Sequence, residues 1–177
     1  MNKKKLLLLG SIIAATMAAG AASAQVAPVG VKDQMSLLAS PDPKLAANKR
    51  LVFDAWRAIV QGAHMELAAK YFTPGYIQHN PNVPTGRDAM VKFMKESRPV
   101  RPIAPNITFP VVSIVAERDI VVLATVTYGP DPADPKKKFA TTHFDMFRIE
   151  NGKIAEHWDN LPKDPALVHV DPNVNKP

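Results

Sequence analysis

The stretch from Phe139 to Pro162, FATTHFDMFRIENGKIAEHWDNLP, limits what this chain can fold into more than any other. Asn151-Gly152 supplies the positive φ angles of a tight turn, so two β-strands joined at Glu150-Asn151-Gly152 are predicted. Side chains alternate between the two faces of a strand. Thr141, His143, Asp145 and Phe147 therefore share one face of the first strand, with Thr142, Phe144, Met146 and Arg148 opposite. On the second, Ala155, His157, Asp159 and Leu161 lie together, with Ile154, Glu156, Trp158 and Asn160 on the other side. Each strand delivers one His-x-Asp pair to a single face. That is more polar investment than packing requires, and it marks the candidate site.

The chain has 177 residues, a length that suits one domain. A 46% hydrophobic and 21% charged composition is that of a globular protein. The N-terminus has the three parts of a secretory signal: a basic start with Lys3, Lys4 and Lys5, an apolar run from Leu6 to about Ala19, and the small-residue pattern Ala22-Ser23-Ala24. Cleavage is expected after Ala24, giving a periplasmic or secreted protein. The apolar run is short and holds Gly10, Ser11 and Thr16, so no stable membrane insertion is expected after cleavage. Losing three lysines and no acid takes the formal charge from +6 to +3. With no basic cluster interleaved with aromatics, nucleic acid is not an expected partner. There is no cysteine, which excludes disulfides and thiol catalysis, so the core alone must hold the fold.

Residues 25–42 read as an extended lead-in. Asp42-Pro43 is a natural helix entry. The spacing of Leu45, Val52, Phe53, Trp56, Ile59 and Val60 predicts a first helix over 43–61, ended by Gly62. A second, short helix is predicted over 64–72 and stopped by Thr73-Pro74-Gly75, followed by a brief strand-like piece from Tyr76 running into a turn. A third opens at Thr85-Gly86-Arg87-Asp88 and ends at Arg98-Pro99. After a Pro-rich link, strands are predicted over 106–116, 119–128 and from 139 onward, with Lys136-Lys137-Lys138 in a solvated hairpin loop. The domain thus covers 43–162, and 163–177 form an irregular tail. Helices first and antiparallel hairpins last argue for an α+β fold: a curved, cone-shaped antiparallel sheet wrapped around about three N-terminal helices.

Tyr76-Ile77-Gln78-His79-Asn80-Pro81, Gly86 opening a helix, and the run from Phe144 to Asp159 with its Asn-Gly-Lys-Ile-x-Glu-His-Trp-Asp block together resemble the SnoaL-like polyketide cyclase group. That group lies within the nuclear-transport-factor-2-like superfamily, and the resemblance spans about Lys44 to Pro162. It implies a cone-shaped barrel with an apolar pocket. In the cyclases a pocket carboxylate acts as acid and base in an intramolecular aldol closure, without metal or organic cofactor. By motif position that carboxylate is Asp159, and Asp145 stands at the group's other polar pocket position. His79 and Asn80 match a pair that lines the pocket mouth or wall. Tyr76 and His143 join them as expected substrate-binding residues.

The chemistry fits these residue types. Removing a proton next to a carbonyl needs a base lifted toward working pH and a donor for the enolate oxygen. A carboxylate in an apolar pocket beside a second one gains that lift from desolvation and like charge. Asp159 is then the expected base, with His157, His143 or His79 as donor and Asp145 as the third catalytic candidate. His157 and His143 read equally as structural residues that hydrogen-bond an aspartate across the hairpin. The same five His and Asp side chains hold donors enough for a zinc-type centre, but no dedicated ligand spacing accompanies them, so no metal is expected. Two functions stay open: a cofactor-independent enzyme (aldol cyclase, isomerase or dehydratase) acting on a small apolar carbonyl compound, and a noncatalytic module that binds a small hydrophobic ligand. A third reading is a structural dimerisation domain; exposure of the outer face with Trp158, Phe144 and Met146 would favour the homodimer that is expected.

Overall fold

The computed structural model describes residues 26–172. The signal-peptide reading lies outside the described residues. Helix α1 (Pro43–Ala55) starts where Asp42 caps it: the Asp42 carboxylate accepts from the backbone N–H of Lys44 at 2.8 Å and of Leu45 at 3.4 Å. The helix continues as a π-helical turn over Trp56–Gln61, seen in the Gly62 N–H donating to the Arg57 carbonyl at 2.9 Å. Together they fill the predicted 43–61 helix. The second expected helix is shorter and tighter, a 3-10 turn (Met65–Leu67) running into α2 (Ala68–Tyr71). Helix α3 (Arg87–Ser97) follows Gly86, whose φ of 95° suits a residue without a Cβ.

Five strands form one curved sheet in the order β1-β5-β4-β3-β2. They are β1 (Phe72–Gln78), β2 (Val111–Glu117), β3 (Ile120–Asp131), β4 (Asp134–Glu150) and β5 (Lys153–Asp159). The pairs β2–β3, β3–β4 and β4–β5 are antiparallel, whereas β1 lies parallel to β5. The sheet is therefore mixed at one edge, not wholly antiparallel. Helix α1 packs across β2 and β3, and α3 packs on β1, which closes the concave side. Val52, Phe53, Ile59, Val111, Val121, Leu123 and Ile154 form the driest part of the core.

Several boundaries differ from the sequence expectation for physical reasons. Thr73-Pro74-Gly75 does not stop a helix ahead of the strand but lies inside β1, at a register irregularity between Phe72 and Ile77. An edge strand tolerates a missing N–H there. Lys136, Lys137 and Lys138 lie in the exposed start of β4, not in a loop; the turn is confined to Pro132-Ala133 between the paired Asp131 and Asp134. The strand expected from Asn106 begins at Val111. Ile154 was expected on the outer face, yet it is 1% exposed and pairs with Ile149. The register shifts by one between Arg148 and Ile149, so Ala155 is an extra residue that reverses the alternation before it. From Glu156 onward the expected faces hold.

Candidate functional site

The hairpin places its polar residues where period two requires. Asp145 pairs directly with Asp159, and Phe147 with His157, all on the concave face. Two ionised carboxylates directly opposite repel each other, and two histidines flank them. His157 Nε2 lies 3.0 Å from Asp145 Oδ1. His143 Nε2 lies 3.4 Å from Asp145 Oδ2, an oxygen with no well-formed hydrogen bond. Asp145 is only 2% exposed. Burial alone pushes its carboxyl up, but the close contact with His143, the bond to His157 and the charge of both outweigh burial and hold it below the ordinary value. The same contact with Asp145 raises His143 against the opposing effect of burial, and the charges of Asp145 and Asp159 add to that rise.

Strand β1 completes the site from the other side. Gln78 is the register partner of His157, and its Oε1 lies 2.7 Å from His157 Nδ1. That oxygen also accepts the Asn80 backbone N–H at 3.0 Å, while Gln78 Nε2 donates to the Tyr76 hydroxyl at 3.0 Å. The backbone donor fixes which way the amide points, so His157 Nδ1 carries a proton and Nε2 faces Asp145. The Asn80 side chain donates to Asp159 Oδ2, and the Leu161 N–H donates to Oδ1 at 3.0 Å. Burial pushes the Tyr76 hydroxyl far up, with the charges of Asp159 and Asp145 adding, so it stays protonated.

These groups form one end of a cavity of about 690 Å³ between the sheet and the helices. Its apolar walls include Trp56, Ile59, Met90, Met94, Val126 and Phe147. Of the residues expected at the site, Tyr76, Asn80, His143, Asp145, His157 and Asp159 all line it. His79 does not. Its ring stacks on Trp158 with centroids 4.6 Å apart, and its Nε2 lies 3.1 Å from Glu156 on the outer face. Alternation is the reason: Tyr76, Gln78 and Asn80 turn inward, so His79 between them must turn out. His157 in turn has both ring nitrogens engaged, which removes it as a free enolate donor.

Gln78 was missed by sequence reasoning, although the alternation Tyr76, Gln78, Asn80 contained the signal. Arg98 and Arg101, which also line the cavity, carried none. His143, Asp145 and Asp159 present donor atoms within 4.8 Å of one another, the only such grouping among the described residues. A metal at about 2.1 Å from each ligand needs its donors roughly 3 Å apart. Here Asp145 Oδ1 already accepts from His157, and both Asp159 oxygens accept from Asn80 and Leu161, which leaves Asp145 Oδ2 and His143 as the donors without a well-formed bond.

Residues 50–163 match the family model described as SnoaL-like polyketide cyclase. The chain belongs to the SnoaL-like polyketide cyclase family. No curated protein matches it. Solved structures similar to this SnoaL-like protein include TsrD from Streptomyces laurentii, 22% identical over 68% of this chain and 90% of that one, with a TM-score of 0.46. Wild-type IdmH from Streptomyces antibioticus is 19% identical over 64% and 90%, with a TM-score of 0.44. An LEH-like epoxide hydrolase of M. tuberculosis is 13% identical over 67% and 80%, with a TM-score of 0.48. The family assignment rests on the match over residues 50–163.

Proposed function

We propose that this SnoaL-like protein is an exported, cofactor-independent acid/base enzyme of aldol cyclase, isomerase or dehydratase type, acting on a small apolar carbonyl compound held in the cavity. One observation carries the reading. Of two carboxylates side by side at the cavity's polar end, Asp145 is tied to His157 and His143, while Asp159 faces the cavity. Asp159 takes a proton from the carbon next to the carbonyl. The C–H electron pair moves into the carbonyl oxygen, and the enolate accepts a hydrogen bond from His143, whose second ring nitrogen has no protein partner among the described residues. The proton then returns at another atom, or the enolate carbon closes onto a second carbonyl. Asp145 and Gln78 position the histidines and stay out of the chemistry.

The direct test is exchange of α-protons for deuterium in a panel of ketones in D₂O, followed by NMR. Catalysed exchange that Asp159→Asn abolishes is the expected result; exchange unaffected by Asp159→Asn sinks the assignment. A second reading, a noncatalytic ligand-binding module, is favoured by the hydrogen bonds that both Asp159 oxygens already accept. It predicts ligand affinity with no exchange. In either case the protein acts outside the cytoplasm as a homodimer.

A further inference from the structure

Four fully charged side chains line the cavity: Asp145, Asp159, Arg98 and Arg101. They are sorted by sign. Asp145 is buried at the polar end, whereas Arg98 and Arg101, on the link after α3, are exposed, so the cavity wall they form is on its solvent side. Arg98 Nη1 donates to the Val60 carbonyl at 2.9 Å, and neither arginine has a carboxylate partner among the described residues. Arg98 as a whole residue is exposed but its guanidinium lies partly against the protein; that partial burial lowers its pKa, and the charge of Arg101 lowers it further. Two like charges stand together there with no carboxylate on either among the described residues, and the Arg98 guanidinium still has N–H groups to give.

The link that carries them is not loose. The Arg101 N–H donates to the Gly62 carbonyl at 2.9 Å, and the Arg101 carbonyl lies 2.9 Å from His64 Nε2. Arg57 Nη1 donates to the Ala104 carbonyl at 2.8 Å, and Gln61 and Thr108 bond each other both ways. The backbone beneath the arginines is therefore held in place, as a binding site needs.

Resting on the acid/base reading above, we propose that Arg98 and Arg101 form a carboxylate subsite, so that the ligand is an amphipathic carbonyl compound with an acid group at its outer end. The charge pattern fixes the orientation. An anion placed against Asp145 and Asp159 is repelled, and one at the opening meets two unneutralised cations, leaving the apolar body along Trp56, Met90, Met94 and Phe147.

Two probes of nearly equal shape test this, 1-naphthaleneacetate and its neutral amide, titrated calorimetrically into the full chain at low salt. A charge-assisted pair of this kind gives the carboxylate a preference of about tenfold. Arg98→Gln/Arg101→Gln is expected to erase that preference and leave the affinity for the amide within about twofold. Asp159→Asn is expected to leave the preference as it is, since the carboxylate sits far from the polar end. Equal binding of both probes by the unaltered protein, or a preference that survives the double substitution, overturns the subsite and leaves the cavity reading standing. A preference that grows with Asp159→Asn also overturns it, since the anion is then at the polar end. Failure of both probes to bind overturns the subsite and the enclosed-ligand reading together.

Discussion

Asp145 and Asp159 stand directly opposite each other on adjacent strands, yet they differ in what holds them. Asp145 is sealed in and bonded to His157, with His143 beside it; Asp159 is half-buried, faces the cavity, and takes its bonds from Asn80 and the Leu161 backbone. Substitution should separate the two. Asp145→Ala removes one member of a buried charged cluster, so a loss of about 3–5 kcal/mol is expected. Asp159→Asn gives up about 1 kcal/mol of hydrogen bonding and relieves the repulsion from Asp145, so its net cost is small. Urea unfolding of both variants reads the difference. Equal destabilisation would show that both carboxylates are structural.

The pH dependence of stability follows from the same cluster. The folded pKa of His143 is raised above 6.5, so its contribution is complete below 6.5 and is lost as pH rises through the folded value. That of Asp145 is lowered below 3.8, so its contribution is present above 3.8 and is lost as pH falls through the folded value. Thermal stability should therefore peak between those two reference values. His64, raised chiefly by its bond to Glu66, titrates in the same direction at the surface. Scans of His143→Gln and His64→Gln apportion the alkaline decline, and the larger flattening is expected for His143→Gln.

Gln78 holds the network through one oxygen. Gln78→Ala leaves the Asn80 N–H and His157 Nδ1 without their acceptor in a buried site. A loss of about 2 kcal/mol is expected from two stranded donors. If Asp159 is the base, turnover falls as well, because Asn80 also carries the donor to Asp159. Unfolding and α-proton exchange on one preparation check both effects. An unchanged midpoint contradicts the hydrogen-bond account.

The hairpin turn tests the most legible part of the sequence. Asn151 and Gly152 have φ of 49° and 71°, and nothing approaches within 4 Å of where a Gly152 Cβ would sit. Gly152→Ala therefore meets no clash and costs only backbone strain, about 1 kcal/mol. A denaturation midpoint unchanged from that of the unaltered protein would place the turn in another conformation.

Legibility tracked how local each determinant is. The Asn-Gly turn, the Asp42 cap and the faces of β4 depend on neighbouring residues, and all were readable. The bulge at Ala155 was not, because it is a property of the β4–β5 register. Alternation along β1 forbids His79 and Asn80 from sharing a face, so His79 was recoverable from the sequence once that piece was read as a strand. The positions of Arg98 and Arg101 depend on how an irregular link is tied to Gly62 and Arg57, contacts that no periodicity encodes.

The outer sheet face yields the last prediction. Val115 pairs with Val122, Val122 with Met146, and Met146 with Trp158, a continuous row across four strands. Val115 within it is 53% exposed and Phe144 beside it is 51% exposed, more apolar surface than a sheet face open to water usually carries. Arg148 bonds Glu156 at 2.6 Å and Glu150 at 2.9 Å, so charges of both signs border the row. A face with its own complementary charges can pair with a second copy about a two-fold axis. The SnoaL-like protein is expected to sediment as a dimer at micromolar concentration. Phe144→Glu should give a folded monomer, because it places one new carboxylate from each copy where the two faces meet and removes an apolar contact. A monomeric unaltered protein at those concentrations, or a dimer indifferent to Phe144→Glu, would assign the row another role.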